Sequence, residues 1–358
     1  VEAADGMSTI DRRVARLFLG RVLAVLAGLL ALLQVLDLID GATEILETGP
    51  PSDLLVSAAL RLPSLAAGIL PLAVLVGAIL AYVRLSAGME LVAMQAAGVG
   101  LARTVRGVAP AALLLCAAQY GLSDAAAPAS QRAYAEWSAA RPGAAPAAEP
   151  VWFRSGGDLV RARPATPAGD VLEDVLIVRR GGDGTVERRL DARRAVLVPG
   201  GGWRLEEVRA IDPRTPSART APTLPWSRGP AADELPVVLR PVEAYSAADL
   251  RALGDGVLPG SLPPERYLTR LHALHAGTLA PALMALLALP ALRVRVRGGG
   301  AVAGPALGLL LGIGYLVGDG VLIALGAAGI LPPEVAAWGA PILFLCVGAL
   351  LLLGVAER

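Results

Sequence analysis

The chain has 358 residues, 55% of them hydrophobic, a formal net charge of +1 and no lysine, so its 32 basic residues are all arginine. A mean hydropathy of +0.59 lies well above the soluble range and assigns much of the chain to lipid. The lack of lysine excludes a Walker A phosphate loop, which needs a Gly-Lys-Ser/Thr ending, and the lack of a basic tail argues against nucleic-acid binding.

Residues 1–7 carry no cleavable signal-peptide pattern, and the first apolar stretch reads as an uncleaved anchor. Crossing a bilayer takes roughly 20 mostly apolar residues in a helix. Residues 17–39, 62–83, 108–122, 274–292, 301–325 and 335–355 qualify. The third span starts nearer Leu101, with Arg103 and Arg106 snorkelling to the interface. Cys116 and Cys346 fall inside spans, where a lone cysteine acts as a small hydrophobe.

Arginines gather on one side of these spans. Arg12, Arg13, Arg16 and Arg21 precede or open the first, Arg84, Arg103 and Arg106 flank the turn after the second, and Arg293, Arg295 and Arg297 follow the fourth. Residues 40–53 carry Asp40, Glu44, Glu47 and Asp53 with no arginine, and the turn at Pro332 and Pro333 has only Glu334. By the positive-inside rule both termini are cytoplasmic, and residues from about 125 to 265 lie outside.

Residues 131–140 read as a helical tail of the third span, ending in the Ala/Pro/Gly linker 142–150. The pattern then becomes that of strands. In 186–198 the apolar Val186, Leu190, Ala192, Val196 and Val198 occupy even positions and charged residues the odd ones, a half-buried strand. Residues 171–178 and 203–211 read as further strands, with hairpin turns at 181–184 and 199–202. An all-β sandwich of about 90 residues is predicted, either a plain structural cap or a half-open shell whose interior holds acyl chains. A short surface helix follows at 247–253.

His272 and His275 share one helix face at the start of the fourth span, but no acidic residue completes a metal-binding pattern, so interfacial packing is favoured. Gly304, Gly308 and Gly312 form a small-residue stripe suited to close helix packing. Asp319 interrupts the fifth span about two-thirds of the way out at ~1.5 Å per residue, and an ionisable group at that depth points to a cavity or a partner. Asp37 sits at similar depth on the first span.

The segment 84–100, RLSAGMELVAMQAAGVG, resembles the cytoplasmic coupling helix of the lipopolysaccharide-export permease family (LptF/LptG), with acidic Glu90, the apolar run Leu91 to Met94 and the small-residue ending Ala96 to Gly98. The opening TIDRRVARLFL (9–19) looks more like the G than the F subunit, and VWFRSGGDLVRA (151–162) matches the start of the family's β-domain. The resemblance implies six transmembrane helices with a periplasmic all-β jellyroll-like domain inserted between helices 3 and 4. It divides the chain into an N-terminal transmembrane half (1–141, coupling helix about 87–98), a β-jellyroll domain (150–244) and a C-terminal transmembrane half (245–358). It further implies an ABC transporter: an LptF-like permease partner, an LptB-like ATPase dimer that holds ATP and Mg, and an LptC-like periplasmic bridge protein. This chain binds no cofactor of its own and catalyses no covalent step.

On that resemblance Glu90, Leu91, Met94 and Gly98 engage the ATPase, while Gln34, Asp37, Arg132 and Asp319 line the lipid cavity or its gate. Gln34 stands where the family can carry a lysine for lipid phosphate. Either the basic contacts come from Arg132 and the partner permease, a divalent cation bridges carboxylates and phosphates, or the lipid is less phosphorylated. Two other readings compete: a membrane-anchored scaffold, for which six spans are excessive, and an intramembrane aspartyl protease pairing Asp37 with Asp319, whose Gly-x-Gly-Asp signature fails at Leu316.

Overall fold

The computed structural model describes residues 9–87, 101–141, 150–155, 157–166, 169–180, 185–198, 202–212, 217–231, 240, 242–258, 260–293 and 302–356. The chain divides into two compact units, residues 1–46, 51–131 and 269–358 in one and 47–50 and 132–268 in the other.

The first unit is helical. α1 (Thr9–Thr48) and α2 (Ser52–Ala87) form a long hairpin, and α3 (Leu101–Gly121) runs through a π-helical turn, Leu122–Ala126, into α4 (Ala127–Ala139). After the β-region, α5 (Ala247–Gly254) and the first residues of α6 (Pro264–Gly277) still belong to the second unit; the first unit resumes at residue 269 with the rest of α6, α7 (Ala280–Leu287) with a 3-10 turn Leu289–Arg293, α8 (Ala303–Ala327) and α9 (Pro333–Ala356). Among the described residues, five helices are long and apolar enough to cross a membrane.

The fourth predicted span is not one straight helix. α6 and the segment Ala280–Leu292 meet at 53°, and together they qualify as a sixth, broken span. Gly277 and Pro281 flank the break; the proline stands in the first turn of α7, where its missing N–H costs nothing. Thr278 satisfies the end of α6 by donating its hydroxyl to Leu274 O at 3.1 Å.

Leu75, Ala78 and Tyr82 of α2 and Leu283, Met284 and Leu287 of α7 centre the core, joined by Phe18 and Val22 of α1 and Tyr315 of α8. Close approach relies on small residues. A Cβ on Gly77 would stand 2.6 Å from Val22 Cα, and one on Gly312 would overlap Leu75. The glycine stripe therefore packs against two neighbours: Gly304 and Gly308 meet the fourth-span segment at Pro290, Leu287 and Ala288, and Gly312 meets α2. Tyr82 Oη donates to Ala285 O at 3.2 Å and Ser86 Oγ to Leu292 O at 2.8 Å, fastening α2 to the same segment.

In the second unit six strands, β1 (Val151–Ser155), β2 (Asp158–Pro164), β3 (Val171–Arg180), β4 (Val186–Leu197), β5 (Trp203–Asp212) and β6 (Ser217–Trp226), pair antiparallel in sequence order within one sheet. This corrects the expected two-sheet sandwich: among the described residues there is no second sheet and no Greek-key crossover. The sheet is rolled instead. Five strand spacings would separate β1 from β6 by about 24 Å if flat, yet Ser155 Oγ at the end of β1 donates to Arg228 O just past β6 at 2.7 Å.

The bend has a visible origin. In β3 the buried Leu172 and Val175 are separated by two outward residues, Glu173 and Asp174; Arg193 and Arg194 do the same between Ala192 and Ala195 in β4, and Glu206 and Glu207 between Leu205 and Val208 in β5. The three steps align, with Glu173 opposite Arg194 and Arg194 opposite Glu206, so each strand changes its inward face at one row. A register shift between Arg161 and Arg163 absorbs the extra residue against β2, and such irregularities bend a sheet. Asp174 and Glu207 take φ of 50° and 52° there, and their carboxylates pair with Arg163 at 2.8 Å and Arg193 at 3.0 Å. The step also corrects the predicted alternation in β4: Leu190 and Ala192 point inward as expected, but Ala195 takes the buried position in place of Val196, and Val186 is exposed.

Candidate functional site

An ion pair joins the first two helices near the turn that connects them. Asp37 of α1 and Arg61 of α2 form an ion pair, Nη2 to Oδ1 2.8 Å, with side chains 15% and 35% exposed. The pairing follows from the hairpin. Asp37 lies about three turns before the end of α1 and Arg61 between two and three turns after the start of α2, so the two stand at equal depth. A charge at membrane depth is costly unless paired, and this pairing meets the cost within the chain. Arg61 was not among the residues singled out in the sequence, because it stands alone just ahead of the apolar stretch 62–83 and belongs to no cluster. Its signal was positional: two residues inside the end of one span and one residue outside the start of the next.

Gln34 lies one turn before Asp37 on α1, and the oxygen and nitrogen of its side-chain amide are buried without a hydrogen-bond partner among the described residues. An amide carries two donors and an acceptor, so Gln34 holds unused hydrogen-bonding capacity one turn from the ion pair.

Asp319 lies on α8, one turn beyond the buried Tyr315 and two turns beyond Gly312. It is half-buried and makes no hydrogen bond or ion pair among the described residues. Asp37 engages Arg61, so the two aspartates do not form a proton-sharing pair. Arg132, on α4 beyond the π turn, is half-buried and also has no hydrogen-bond or ion-pair partner among the described residues. Glu90, Leu91, Met94 and Gly98 lie outside the described residues.

The two histidines are occupied locally. His275 Nδ1 lies 2.8 Å from Leu271 O, within its own helix, and His272 Nε2 stands 3.7 Å from Glu334 of α9.

Two helices leave apolar surface uncovered. Among the described residues, none from 23 to 43 of α1 is buried, and Leu32, Val35, Leu36 and Ile39 are exposed. On α8, Leu310, Ile313, Val317 and Val321 are exposed while Gly308, Gly312 and Tyr315 on the other side are buried. The interior of the rolled sheet is filled by its own side chains, among them Phe153, Ile177, Leu190, Leu205 and Trp226.

A family model described as lipopolysaccharide export system permease LptF/LptG matches residues 12–354. No curated protein matches the chain.

Proposed function

Because the chain belongs to the LptF/LptG family of lipopolysaccharide export permeases, and is thus an integral inner-membrane transport component rather than an enzyme, we propose that it is the G-type half of a permease pair driven by a separate ATPase. Its termini face the cytoplasm and its β-domain the periplasm. An LptF-like permease completes the lipid cavity, an LptB-like ATPase dimer binds ATP and Mg below it, and an LptC-like bridge protein receives the lipid. The absence of lysine supports this division of labour, since it leaves the chain without a Walker A loop.

The observation that carries the reading is the Asp37–Arg61 pair beside the uncovered apolar face of α1. The face suits acyl chains or a neighbouring permease, and Arg61 supplies a cation where Gln34 stands at a position that can carry a lysine in the family. A lipid phosphate competes with Asp37 for the guanidinium, whose planar fork suits phosphate as well as carboxylate. Gln34 adds an amide that has no other partner. Asp319 lines the gate on α8, and Glu90 transmits closure of the ATPase.

Purification from native membranes, followed by mass spectrometry of protein and lipid, tests the proposal. Lipopolysaccharide and a nucleotide-binding subunit are expected together with the chain. Purified chain carrying neither removes the reading.

A further inference from the structure

Three neighbouring spans of the first unit have weakened backbone. Between α6 and α7 the chain leaves the α-helical pattern: the N–H groups of Thr278 and Leu279 donate three residues back, to His275 O at 3.2 Å and Ala276 O at 3.0 Å. Pro281 has no N–H for Gly277 O. In α9, Pro341 stands inside the helix and cannot donate to Ala337 O. In α8 the weak point is glycine. A Cβ on Gly314 or Gly318 would make ordinary contact with Phe344, at 3.8 and 4.0 Å, and one on Gly320 would meet nothing. Close packing requires Gly304, Gly308 and Gly312 but not these three, and glycine without a packing role loosens a helix interior.

The weak points share one level. α7 meets α9 where a Cβ on Gly348 would lie 3.2 Å from Leu286 Cβ, and it meets α8 where one on Gly308 would lie 3.3 Å from Leu287 O. Counted from these contacts, away from the end that carries the chain termini, Thr278 and Pro341 fall about two turns on, and Gly314 and Gly318 fall either side of that level. Packing is close on both sides of it. Nearer the termini, Tyr82 and Ser86 fasten α2 to Ala285 and Leu292. Beyond it, a Cβ on Gly326 of α8 would stand 2.4 Å from Ala336 Cβ of α9 and 2.9 Å from Thr269 Cγ2 of α6, while His272 Nε2 lies 3.7 Å from Glu334. The far ends of α6, α8 and α9 are thus packed into one block, and weakened backbone carries each of its three connections to the near half.

We propose that residues 269–277, 321–327 and 333–340 rock as one block on the near half of the bundle, about an axis through Thr278, Gly318 and Pro341. Interiors this closely packed shift as units, and bending concentrates where proline or glycine interrupts a helix. Asp319 lies between Gly318 and Gly320, at the axis, so rocking re-aims the α8 surface beyond it. That this motion opens the lipid gate rests on the export reading above.

The test uses the full chain with its native partner subunits in membranes, with Cys116→Ala and Cys346→Ala. Spin labels on Val335→Cys and Leu353→Cys, both exposed positions of α9, report its bend with and without ATP. The distance between them is expected to differ in the two states. Gly318→Ala with Gly320→Ala, both on α8, should at least halve that difference on α9, raise the unfolding temperature and slow ATP-driven release of lipopolysaccharide about three- to tenfold. Pro341→Ala should act in the same direction from within α9. In unlabelled complex, His272→Cys and Glu334→Cys joined by a short reducible crosslinker tie α6 to α9 inside the block, and release is expected to be unchanged. Stabilised variants with the distance change and release both intact, or a crosslink that stops release until it is reduced, overturn the block. A distance identical in the two states also overturns it, and release that persists then leaves the export reading standing. A distance change without ATP-driven release from the parent complex keeps the joint and overturns the export reading.

Discussion

Gln119 of α3 donates its side-chain amide to Ala67 O of α2 at 3.0 Å. Pro71 lies four residues after Ala67 and has no N–H to give, so this carbonyl lacks its helical donor in a region where water supplies none. The same nitrogen donates to Ser123 Oγ at 3.0 Å, inside the π turn of the third span. One side chain thus joins the irregular points of two neighbouring spans. Gln119→Leu is expected to destabilise the subunit by about 1–2 kcal/mol. In a Pro71→Ala background, where the backbone N–H returns, the loss falls below half. Thermal unfolding of the four combinations checks this, and equal losses in both backgrounds would disconnect Gln119 from the proline.

Arg61 and Asp37 are expected to behave unequally toward lipid. If phosphate competes with Asp37, Arg61→Ala weakens lipopolysaccharide binding about tenfold, the scale of one charge-assisted hydrogen bond, while Asp37→Asn leaves binding unchanged or tighter. A purely structural ion pair predicts equal losses from either change. Lipid binding to the purified complex separates the two.

Asp319 makes no hydrogen bond or ion pair among the described residues, so its removal is expected to help the fold and harm the work. Asp319→Leu should raise stability by about 1–3 kcal/mol and lower ATP-dependent lipid release at least severalfold, a trade of the kind seen at functional sites. Unchanged release would take Asp319 out of the path. Asp319→Asn distinguishes charge from polarity.

Glu90 is expected to couple the ATPase to the spans. Glu90→Ala or Glu90→Arg should lower lipid-stimulated ATP turnover without changing the amount of assembled complex. Undiminished turnover in both variants refutes the coupling role.

Long uniform patterns were readable from the sequence, and compensated irregularities were not. Roughly 20 apolar residues in a row can do little else than form a spanning helix, and strands at 171–178 and 203–211 follow from β-branched and aromatic residues bounded by turn signals. β6 was missed because SARTAPTLPW contains Pro222 and Pro225, which demote a strand pattern; an edge strand tolerates them, since their missing N–H groups need not join a ladder. The step at Arg193 and Arg194 was hidden because Ala195, Val196, Leu197 and Val198 are all apolar, leaving either phase possible until β3 and β5 fix the row. The Asp37–Arg61 pair required knowing that α1 and α2 lie side by side.

On the function proposed above, ATP hydrolysed by a partner drives lipopolysaccharide out of the membrane through a permease containing this chain. The most direct test places the purified complex in proteoliposomes loaded with lipopolysaccharide and follows transfer to a soluble bridge protein. Transfer that requires ATP, stops with a hydrolysis-dead ATPase and is reduced by Arg61→Ala is the predicted result. Transfer indifferent to ATP, or none from a complex whose ATPase is active, contradicts it.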